Sequence, residues 1–497
     1  MAGAAYQQLE GSFRRLQALH EAQDVLGWDQ RTMMPPGGAE ARGEHQATLR
    51  AIIHDIQTAP EIGDLIAAAQ QDDGLDDWQR ANLREIERRW IQATALPQDL
   101  VVAMSRANSA CETVWRTARR DGDFKAVAKP LEEVLKLVRE EAKAKSVALG
   151  LGLYDALLDG YEPDMRSTEI DRVFGDLEAF LPGFLGEAIE AQARRGEPLE
   201  PQGPFPVDRQ RRLGRRIMEI VGFDFASGRL DESLHPFSGG NPDDARITTR
   251  YDEADFISSL MGIVHETGHA LYECGLPQAW RWQPVGRARS FGIHESQSLL
   301  VEMQVCRSRA FMEFAAPLMR EAFDAGGPAW ETENLFRLNT TVSPGFIRVD
   351  ADEVTYPAHV ILRYRLEKAL IEGAMEVADL PVAWNEGMKR LLGIVPPSDR
   401  EGCLQDIHWF DGAWGYFPTY TLGAMNAAQL YAAARDRDPA IESAIGKGDF
   451  KPLMAWLRAN VHGQGSYHSA TDLIAQATGR PLDAAVFKAH LRSRYLG

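Results

Sequence analysis

The spacing of hydrophobic residues along this chain predicts a mostly helical protein. Apolar side chains recur at three- and four-residue steps with Glu, Lys and Arg on the opposite faces, as in amphipathic helices packed on a core. The segments with this pattern are residues 5–55, 60–95, 98–120, 126–150, 167–195 and 208–222. Proline and glycine clusters interrupt the pattern at 35–38, 159–163 and 196–206.

The last interruption, residues 196–206, is the predicted boundary between two parts of one domain. Residues 1–206 are expected to form mainly an N-terminal helical half, and residues 207–497 a catalytic half. We predict a single domain over 1–497, because length is only a weak guide to domain count and large helical enzymes often remain undivided.

Few segments carry the pattern of a β-strand. Residues 246–251 (Arg-Ile-Thr-Thr-Arg-Tyr) predict one short strand, and we expect 286–293 and 346–356 to pair with it. A small sheet of this kind offers an edge on which a peptide can lie extended.

Residues 265–269 (His-Glu-Thr-Gly-His) lie within an apolar-periodic segment that predicts a helix of about five turns, ended near Gly275. Histidines four residues apart lie on one helix face, with Cβ atoms about 5–6 Å apart. Both His265 and His269 can therefore reach one tetrahedral ion at about 2.0–2.1 Å. Glu266 projects beside that ion, where it can take a proton from bound water.

A catalytic zinc site needs a third protein ligand. Residues 292–298 (Gly-Ile-His-Glu-Ser-Gln-Ser) open a second apolar-periodic run to Phe311, which predicts a buried helix returning over the first. Glu295 is the best candidate and His294 is its competitor, and the residues alone separate the two only weakly. A first-turn glutamate is also favoured by the helix dipole, which is a structural explanation for Glu295.

Charge and composition narrow the choice of partners and compartment. The net charge of −18 argues against nucleic acid or an anionic membrane surface as a partner. No run of about 18 apolar residues indicates a membrane span, and no N-terminal pattern indicates a signal peptide. The four cysteines are scattered without paired spacing, which favours free thiols in a reducing compartment. We therefore expect a cytoplasmic protein.

Several segments together resemble one family, the M32 metallocarboxypeptidases typified by the Taq carboxypeptidase. The matching segments are 235–237, 244–248, 265–269, 294–297, 347–352 and 402–409, with 26–35 and 415–423 in addition. They follow one another in order over nearly the whole chain. One departure is Pro357, where many relatives have Asn.

The resemblance implies a mostly α-helical zinc-peptidase fold of the gluzincin type, with a deep cleft and a small β-sheet beside the active site. It implies a cytoplasmic homodimer that releases single residues from peptides with a free C-terminus. It also implies the ligand set His265, His269 and Glu295, with Glu266 as general base. By ligand type the ion is Zn²⁺, one per chain, although Co²⁺ or Mn²⁺ can occupy the same ligands.

His408 and Tyr420 lie in a glycine- and aromatic-rich segment after the two helices. We predict that they donate hydrogen bonds to the tetrahedral intermediate. Their twelve-residue separation is similar to that of the His/Tyr pair in related helical zinc oligopeptidases. The alternative is an ordinary buried aromatic cluster.

An exopeptidase must recognise a free carboxylate, and a bidentate arginine does so most strongly. Arg348 is the first choice, with a surface or ion-paired arginine as the alternative. Arg246 is the second choice, although we expect it to brace the sheet. His235 either lines the cleft or caps a turn, and His294 is expected to orient a ligand or the substrate.

The sequence therefore predicts a zinc-dependent metallocarboxypeptidase. The main alternative is an endo-acting oligopeptidase or dipeptidyl carboxypeptidase on the same scaffold. A third possibility is an inactive peptide-binding protein with structural zinc. The presence of Glu266 and of only three protein ligands argues against it, because structural zinc sites are usually closed by four.

Overall fold

The computed structural model describes residues 3–497, and most of that range is helical. None of its helices combines the length and the apolar character that crossing a bilayer requires. The α-helices are α1 (Ala4–Thr32), α2 (Ala39–Gln57), α3 (Pro60–Ala69), α4 (Asp77–Thr94), α5 (Gln98–Asp121), α6 (Phe124–Leu149), α7 (Leu153–Leu158), α8 (Ser167–Arg195), α9 (Val207–Val221), α10 (Phe256–Gly275), α11 (Phe291–Leu299), α12 (Arg309–Phe323), α13 (Thr332–Asn339), α14 (Tyr356–Glu372), α15 (Leu380–Leu392), α16 (Pro418–Arg437), α17 (Ala440–Ile445), α18 (Lys451–Asn460), α19 (Ala470–Thr478) and α20 (Ala484–Leu496).

The predicted helices of the N-terminal half are confirmed, and the breaks lie where local chemistry ends a helix. Residues 5–55 form α1 and α2, with Pro35 at the break. Residues 60–95 form α3 and α4, and Asp76 caps α4 in a reciprocal capping box with Gln79. The short helix α7 was not predicted. Pro357 lies in the first turn of α14, where proline is tolerated because its missing N–H has no helical partner.

The β-structure is one three-stranded sheet of β1 (Gly228–Glu232), β2 (Phe237–Asn241) and β3 (Asp244–Thr249), in the order β1-β3-β2. β3 pairs parallel with β1 and antiparallel with β2. The predicted strand at 246–251 is confirmed as β3, displaced by two residues.

The predicted partners of that strand are wrong. Residues 286–293 lead into α11, and residues 346–356 lead into α14. The true partners, β1 and β2, contain glycine and polar residues, so they carry no strand pattern of their own. They are held instead by the ladder with β3, whose Ala245 and Ile247 are buried against α10.

Helix α10 is enclosed by hydrophobic contacts on two sides. Ile263 and Ala270 pack with the sheet, whereas Leu260 and Val264 belong to the core formed with α9, α12 and α16–α19. A separate core draws its residues from both sides of the 196–206 segment, including α5–α8 and α14–α16. Helices α1–α4 share a smaller cluster of their own. The functional division at 196–206 stays a prediction.

The helix after the motif is less regular than predicted. We expected one buried helix from 292 to 311, but α11 passes into a π-helical segment at Leu300–Cys306, and α12 begins only after Ser308. The prediction of one continuous helix is therefore wrong. Short π-helical segments are uncommon and are often found at functional sites.

Candidate metal centre

The inner face of α10 carries the 265–269 motif. Asp255 caps the start of this helix by accepting hydrogen bonds from two backbone N–H groups of the first turn. The four-residue spacing places the rings of His265 and His269 on one face, with centroids 5.0 Å apart and planes at 85°. The predicted helix and the shared face of its two histidines are both present.

Two glycines let α11 lie unusually close to its neighbours. A Cβ on Gly268 of α10 would lie 2.5 Å from the carbonyl oxygen of Gln297, so only glycine fits there. On the other side, a Cβ on Gly423 of α16 would lie 2.7 Å from Cγ of Glu295. The backbone of α11 is therefore held between α10 and α16 with Glu295 at the contact.

This packing brings Glu295 to the two histidines of the motif. Its Oε2 lies 3.4 Å from Nε2 of His269 and 4.0 Å from Nε2 of His265. The three residues form a group whose ligand atoms all lie within 4.8 Å of one another. Ligand atoms at about 2.0–2.1 Å from a tetrahedral ion lie about 3.4 Å apart, so the separations suit one ion.

The chemistry of these donors also fits a catalytic transition-metal site. Two imidazoles and one carboxylate leave a fourth tetrahedral position open for a further ligand. Burial alone would raise the pKa of Glu295, but its hydrogen bond with His269 and the charges of the nearby histidines lower the pKa to about 2. The carboxylate is therefore ionised at neutral pH, as a metal ligand must be.

Side chains behind the histidines fix the orientation of both rings. Nδ1 of His265 lies 3.0 Å from Oε2 of Glu302, and Arg307 donates to the other oxygen of Glu302 at 2.7 Å. Nδ1 of His269 lies 3.1 Å from the backbone carbonyl oxygen of His294. With both Nδ1 atoms engaged, both Nε2 atoms face Glu295.

His294 lies beside this group, and its Nδ1 is 2.7 Å from Nδ1 of His269. The ring is 4.6 Å from that of His269 between centroids, and its Nε2 lies 3.0 Å from Oε1 of Glu273. Both His294 and Glu273 line the adjoining cavity. Consecutive residues of an α-helix point in directions about 100° apart, so Glu295 and His294 face different surroundings.

Glu266 is buried on α10 between the two histidines, with 8% of its surface exposed. Its charge contributes to raising the pKa of His265 to about 10, against the lowering effect of burial and together with Glu302 and Glu295. Within residues 3–497 its carboxylate has no ion-pair partner at 4.0 Å or less. Its oxygens are thus available to a group bound near His265 and His269.

His408 and Tyr420 form a pair on the α16 side of the group. Nε2 of His408 lies 3.2 Å from the hydroxyl oxygen of Tyr420, and Tyr420 lies one turn before the Gly423 contact with Glu295. Burial, with the charges of nearby arginines, lowers the pKa of His408 to about 4. The imidazole is therefore neutral at neutral pH.

Arg348 belongs to a buried charge cluster, which we name the Asp406 cluster (Asp406, Arg348 and Arg363). Arg348 donates to Oδ1 of Asp406 through Nε at 3.1 Å and Nη2 at 2.8 Å, and Arg363 donates to Oδ2 at 2.6 Å. Burial alone would raise the pKa of Asp406, but the two guanidinium groups hold it well below its usual range. One carboxylate thus pairs with two cations, which leaves one positive charge in excess.

The free end of Arg348 faces the His408–Tyr420 pair. Its guanidinium carbon lies 4.7 Å from the ring centroid of Tyr420. No residue of the described chain accepts a hydrogen bond from Nη1 of Arg348. Arg348 is 5% exposed, but Nη1 is not among the fully buried unpaired atoms, so this N–H pair is accessible from solvent.

The remaining predicted residues, Arg246 and His235, belong to the sheet region and are not members of the metal-binding group. Arg246 forms a fork on Asp244, at 3.0 and 2.6 Å, and its guanidinium stacks over Trp28. This is the bracing position that we expected for Arg246. His235 lies exposed in the turn before β2, where its carbonyl oxygen accepts a hydrogen bond from Ser233.

A cavity of about 710 Å³, which we call the cleft, adjoins the site at His294 and Glu273, although its lining does not include the three metal-binding candidates. Its walls come from α1, α2, β2, α10 and α11. Representative lining residues are Trp28, Arg50, Gly239, Glu273 and His294. The β2 edge lies in this wall, which places a strand edge beside the motif helix as predicted.

Three residues at the site were not predicted. Glu302 lies seven residues after Glu295, which is about two helical turns. This spacing would have identified it as a residue on the same side of the predicted helix. Asp406 was part of a recognised segment, yet its pairing with two arginines depends on long-range contacts. Glu273 follows His269 by four residues on the same helix face.

The comparisons with known proteins cover almost the entire chain. A family model described as Carboxypeptidase Taq (M32) metallopeptidase matches residues 8–495. Thermostable carboxypeptidase 1 of Thermus thermophilus is 39% identical over 504 residues, covering 99% of this chain and 98% of the relative. Carboxypeptidase 1 of Bacillus subtilis is 35% identical, covering 97% of this chain and 96% of that protein.

Solved structures show the same similarity. Metallocarboxypeptidase 1 of Trypanosoma cruzi aligns with a TM-score of 0.97 at 44% identity, covering 99% of both chains. The M32 carboxypeptidase of Deinococcus radiodurans aligns with a TM-score of 0.94 at 35% identity, again over 99% of both chains. The helical fold with its small sheet is thus shared with these enzymes.

Proposed function

The chain belongs to the Taq carboxypeptidase (M32) family of metallopeptidases and is a carboxypeptidase, and from this premise we propose that it is a zinc enzyme that releases single C-terminal residues. The observation that carries the proposal is the convergence of His265, His269 and Glu295 beside an unpaired Glu266. Zn²⁺ is the ion that this donor set suits best, with Co²⁺ or Mn²⁺ as substitutes.

His265, His269 and Glu295 would hold the ion, and Glu302 would keep the first histidine in its ligating orientation. When bound, the ion supplies Lewis-acid activation of water and of the scissile carbonyl group. Glu266 accepts the proton of the attacking water on its carboxylate and passes it to the leaving nitrogen. The lack of an ion-pair partner for Glu266 supports this role.

Tyr420 would stabilise the oxyanion that develops on the carbonyl oxygen. We assign the proton of the neutral His408 ring to Nε2, which then donates to the Tyr420 hydroxyl oxygen. This leaves the Tyr420 O–H free to donate to the oxyanion. His408 is in this account a positioning residue, because it acts through Tyr420.

Arg348 would bind the C-terminal carboxylate of the peptide. The Asp406 cluster has two arginines for one carboxylate, and Nη1 of Arg348 has no acceptor among the described residues. A substrate carboxylate would supply both the missing charge and the missing acceptor. This is the feature that favours exopeptidase activity over an endo-acting oligopeptidase.

The proposal is tested by combining metal analysis with mass-spectrometric mapping of products from one short peptide, prepared as free acid and as C-terminal amide. We expect one Zn²⁺ per chain and a ladder of products that differ by one residue, formed from the free acid only. Equal cleavage of both peptides would contradict carboxylate recognition. Removal of residues in pairs would instead favour a dipeptidyl carboxypeptidase.

The variant Glu266→Gln provides the matched test of the general base. We expect metal content to be retained and turnover to fall by about 10³-fold, within the range for loss of a general base. Undiminished activity would place the base elsewhere. A homodimer and a cytoplasmic location are also part of the proposal, on the ground of the family resemblance, and light scattering of the purified protein tests the first.

A further inference from the structure

A second cavity adjoins the cleft on the side of His294 away from Glu295. It has a volume of about 380 Å³, and we name it the arginine chamber after Arg89, Arg287 and Arg289 in its wall. His294 and Arg287 line both the chamber and the cleft, so the two spaces share a wall. A peptide lying in the cleft therefore has access to the chamber.

Arg89 of α4 is a half-buried cation without a partner. Within residues 3–497 its guanidinium group forms neither a hydrogen bond nor an ion pair at 4.0 Å or less. Burial, together with the charges of Arg88 and Arg287, lowers the pKa of Arg89 to about 10. None of the guanidinium nitrogens of Arg89 is among the fully buried unpaired atoms, so this cation is accessible to a ligand in the chamber.

Arg287 and Arg289 also present unused donors. Nη1 of each is enclosed and has no hydrogen-bond partner in the described chain. Arg289 is 9% exposed, and its other nitrogens bind Glu85 at 2.8 Å and Asp164 at 2.7 Å. A buried N–H without an acceptor is unfavourable, so a ligand that supplies acceptors, once the guanidinium groups rotate toward it, would be stabilised.

The acids of this region do not satisfy those donors. The carboxylate nearest to Arg287 is Glu21, 4.0 Å from its Nη1 and already bonded to Arg281. Asp24 and Glu273 line both the chamber and the cleft, whereas Arg89 and Arg289 line only the chamber. The charge of Arg287 acts on both Asp24 and Glu273, and Arg289 is paired with Glu85 and Asp164. Arg89 is therefore the arginine of the chamber without an ion-pair partner among the described residues.

We propose that the arginine chamber binds an oxyanion. Planar guanidinium groups match the two oxygens of a carboxylate or the oxygens of a phosphate. The source is either an acidic side chain of the bound peptide, upstream of the scissile bond, or a free oxyanion such as inorganic phosphate. The first source rests on the proposed peptidase function, and the second does not.

The first arm of the test compares N-acetylated free-acid peptides that carry Glu or Gln at successive positions upstream of the scissile bond. We expect kcat/KM of the zinc-loaded enzyme to favour Glu by about ten-fold at one position, the size expected for a hydrogen bond to a charged group. In Arg89→Met this ratio falls toward one, and in Arg89→Lys it is partly retained.

Arg88→Met is the matched control. Arg88 is the preceding residue on α4, but it pairs with Glu85 at 3.2 Å and does not line the chamber. We expect it to keep the Glu/Gln ratio of the wild-type enzyme. Circular dichroism checks that the variants are folded, and Arg287→Gln replaces Arg89→Met if the latter is not.

The second arm measures binding of inorganic phosphate by calorimetry at constant ionic strength. Phosphate binding that Arg89→Met weakens at least five-fold, without any Glu preference, would identify a free oxyanion as the ligand. A Glu preference that depends on Arg89 would identify the peptide side chain. If Arg89→Met changes neither the peptide ratio nor phosphate binding, the proposal is overturned. The calorimetric arm needs no turnover, so it remains informative if the peptidase proposal fails.

Discussion

Two carboxylates, Asp406 and Glu353, each bind basic side chains, but the two clusters differ in how completely their hydrogen-bonding groups are paired. In the Asp406 cluster one carboxylate serves two arginines, and one end of Arg348 has no acceptor. In the other, which we name the Glu353 cluster, the carboxylate accepts four hydrogen bonds of 2.8–3.0 Å, from Gln304, His490, Arg494 and Tyr495.

The difference lies between a carboxylate whose hydrogen bonds are all made within the protein and a cluster in which one arginine keeps an unused donor. The Glu353 cluster joins α20 to the segment before α14, and every oxygen of its carboxylate is used. The Asp406 side chain is slightly more exposed, at 11% against 4% for Glu353, and its cluster retains an unbalanced positive charge. This imbalance supports the proposal that a substrate carboxylate completes the site.

The largest predicted effect on activity is at Arg348, and its absence would remove the contrast between the two clusters. We expect Arg348→Met to lower kcat/KM for free-acid peptides by about 10³-fold, chiefly through KM, with metal content unchanged. Steady-state kinetics and metal analysis measure both quantities. Unchanged kinetics would remove Arg348 from substrate binding and transfer attention to Arg246.

Arg494→Met is the counterpart in the Glu353 cluster. It leaves a buried carboxylate without its main cation, so we expect the free energy of unfolding to fall by about 3 kcal/mol. The kinetics of the folded fraction should stay close to those of the wild-type enzyme. Urea unfolding together with kcat/KM measures this, and a selective loss of substrate affinity would show that full pairing does not mark a structural role.

Glu302 sharpens the comparison because it is fully paired and yet lies at the metal centre. It binds both His265 and Arg307. We expect Glu302→Gln to weaken metal affinity by about 10- to 100-fold, as is usual when the partner of a metal-binding histidine is changed. Competition with a chelator measures the affinity. Gln476→Glu, on the exposed side of α19, is a charge-changing control that should leave it unaltered.

The smallest effect concerns His359, which lies beside the Asp406 cluster. Burial and the charges of Arg363 and Arg348 lower its pKa to about 3. Since the unfolded value is about 6.5, the unfolded chain binds more protons between these pH values. This contribution to stability is fully present above about pH 6.5 and is lost as the pH falls toward 3.

We therefore expect His359→Gln to flatten the fall of unfolding free energy with acidification by at most about 1.4 kcal/mol per pH unit. Urea unfolding at several pH values between 6.5 and 4.5 measures the slope. The exposed His54, replaced by Gln, should leave the slope as it is. An unchanged slope in the His359 variant would mean that this ring is not held neutral.

The metal-binding candidates could be predicted because their signal is local. His265, Glu266 and His269 lie on one helix, and the apolar pattern around them predicted its bounds closely. The residues alone left Glu295 and His294 as alternatives and the family resemblance implied Glu295, whereas the structure shows how the packing at Gly268 and Gly423 places Glu295 at the histidines. The spacing of residues along the sequence does not specify how one helix is rotated relative to another.

The features that were missed depend on contacts between distant parts of the chain. β1 and β2 carry no strand pattern in their own residues, and it is their pairing with β3 that stabilises them as strands. The arginine chamber joins Arg89 to residues about two hundred positions later, which no spacing rule connects. The π-helical segment at Leu300–Cys306 also shifts the helical phase after Glu295.

The bare backbone at Gly268 and Gly423 has a consequence for how the ion affinity of this protein can be altered. A single methyl group at either position would push α11 away from one neighbour and toward the other. Such a displacement would widen or tilt the triangle of donors without changing any donor. Alanine at 268 or 423 is therefore a steric means of adjusting metal selectivity from outside the coordination sphere.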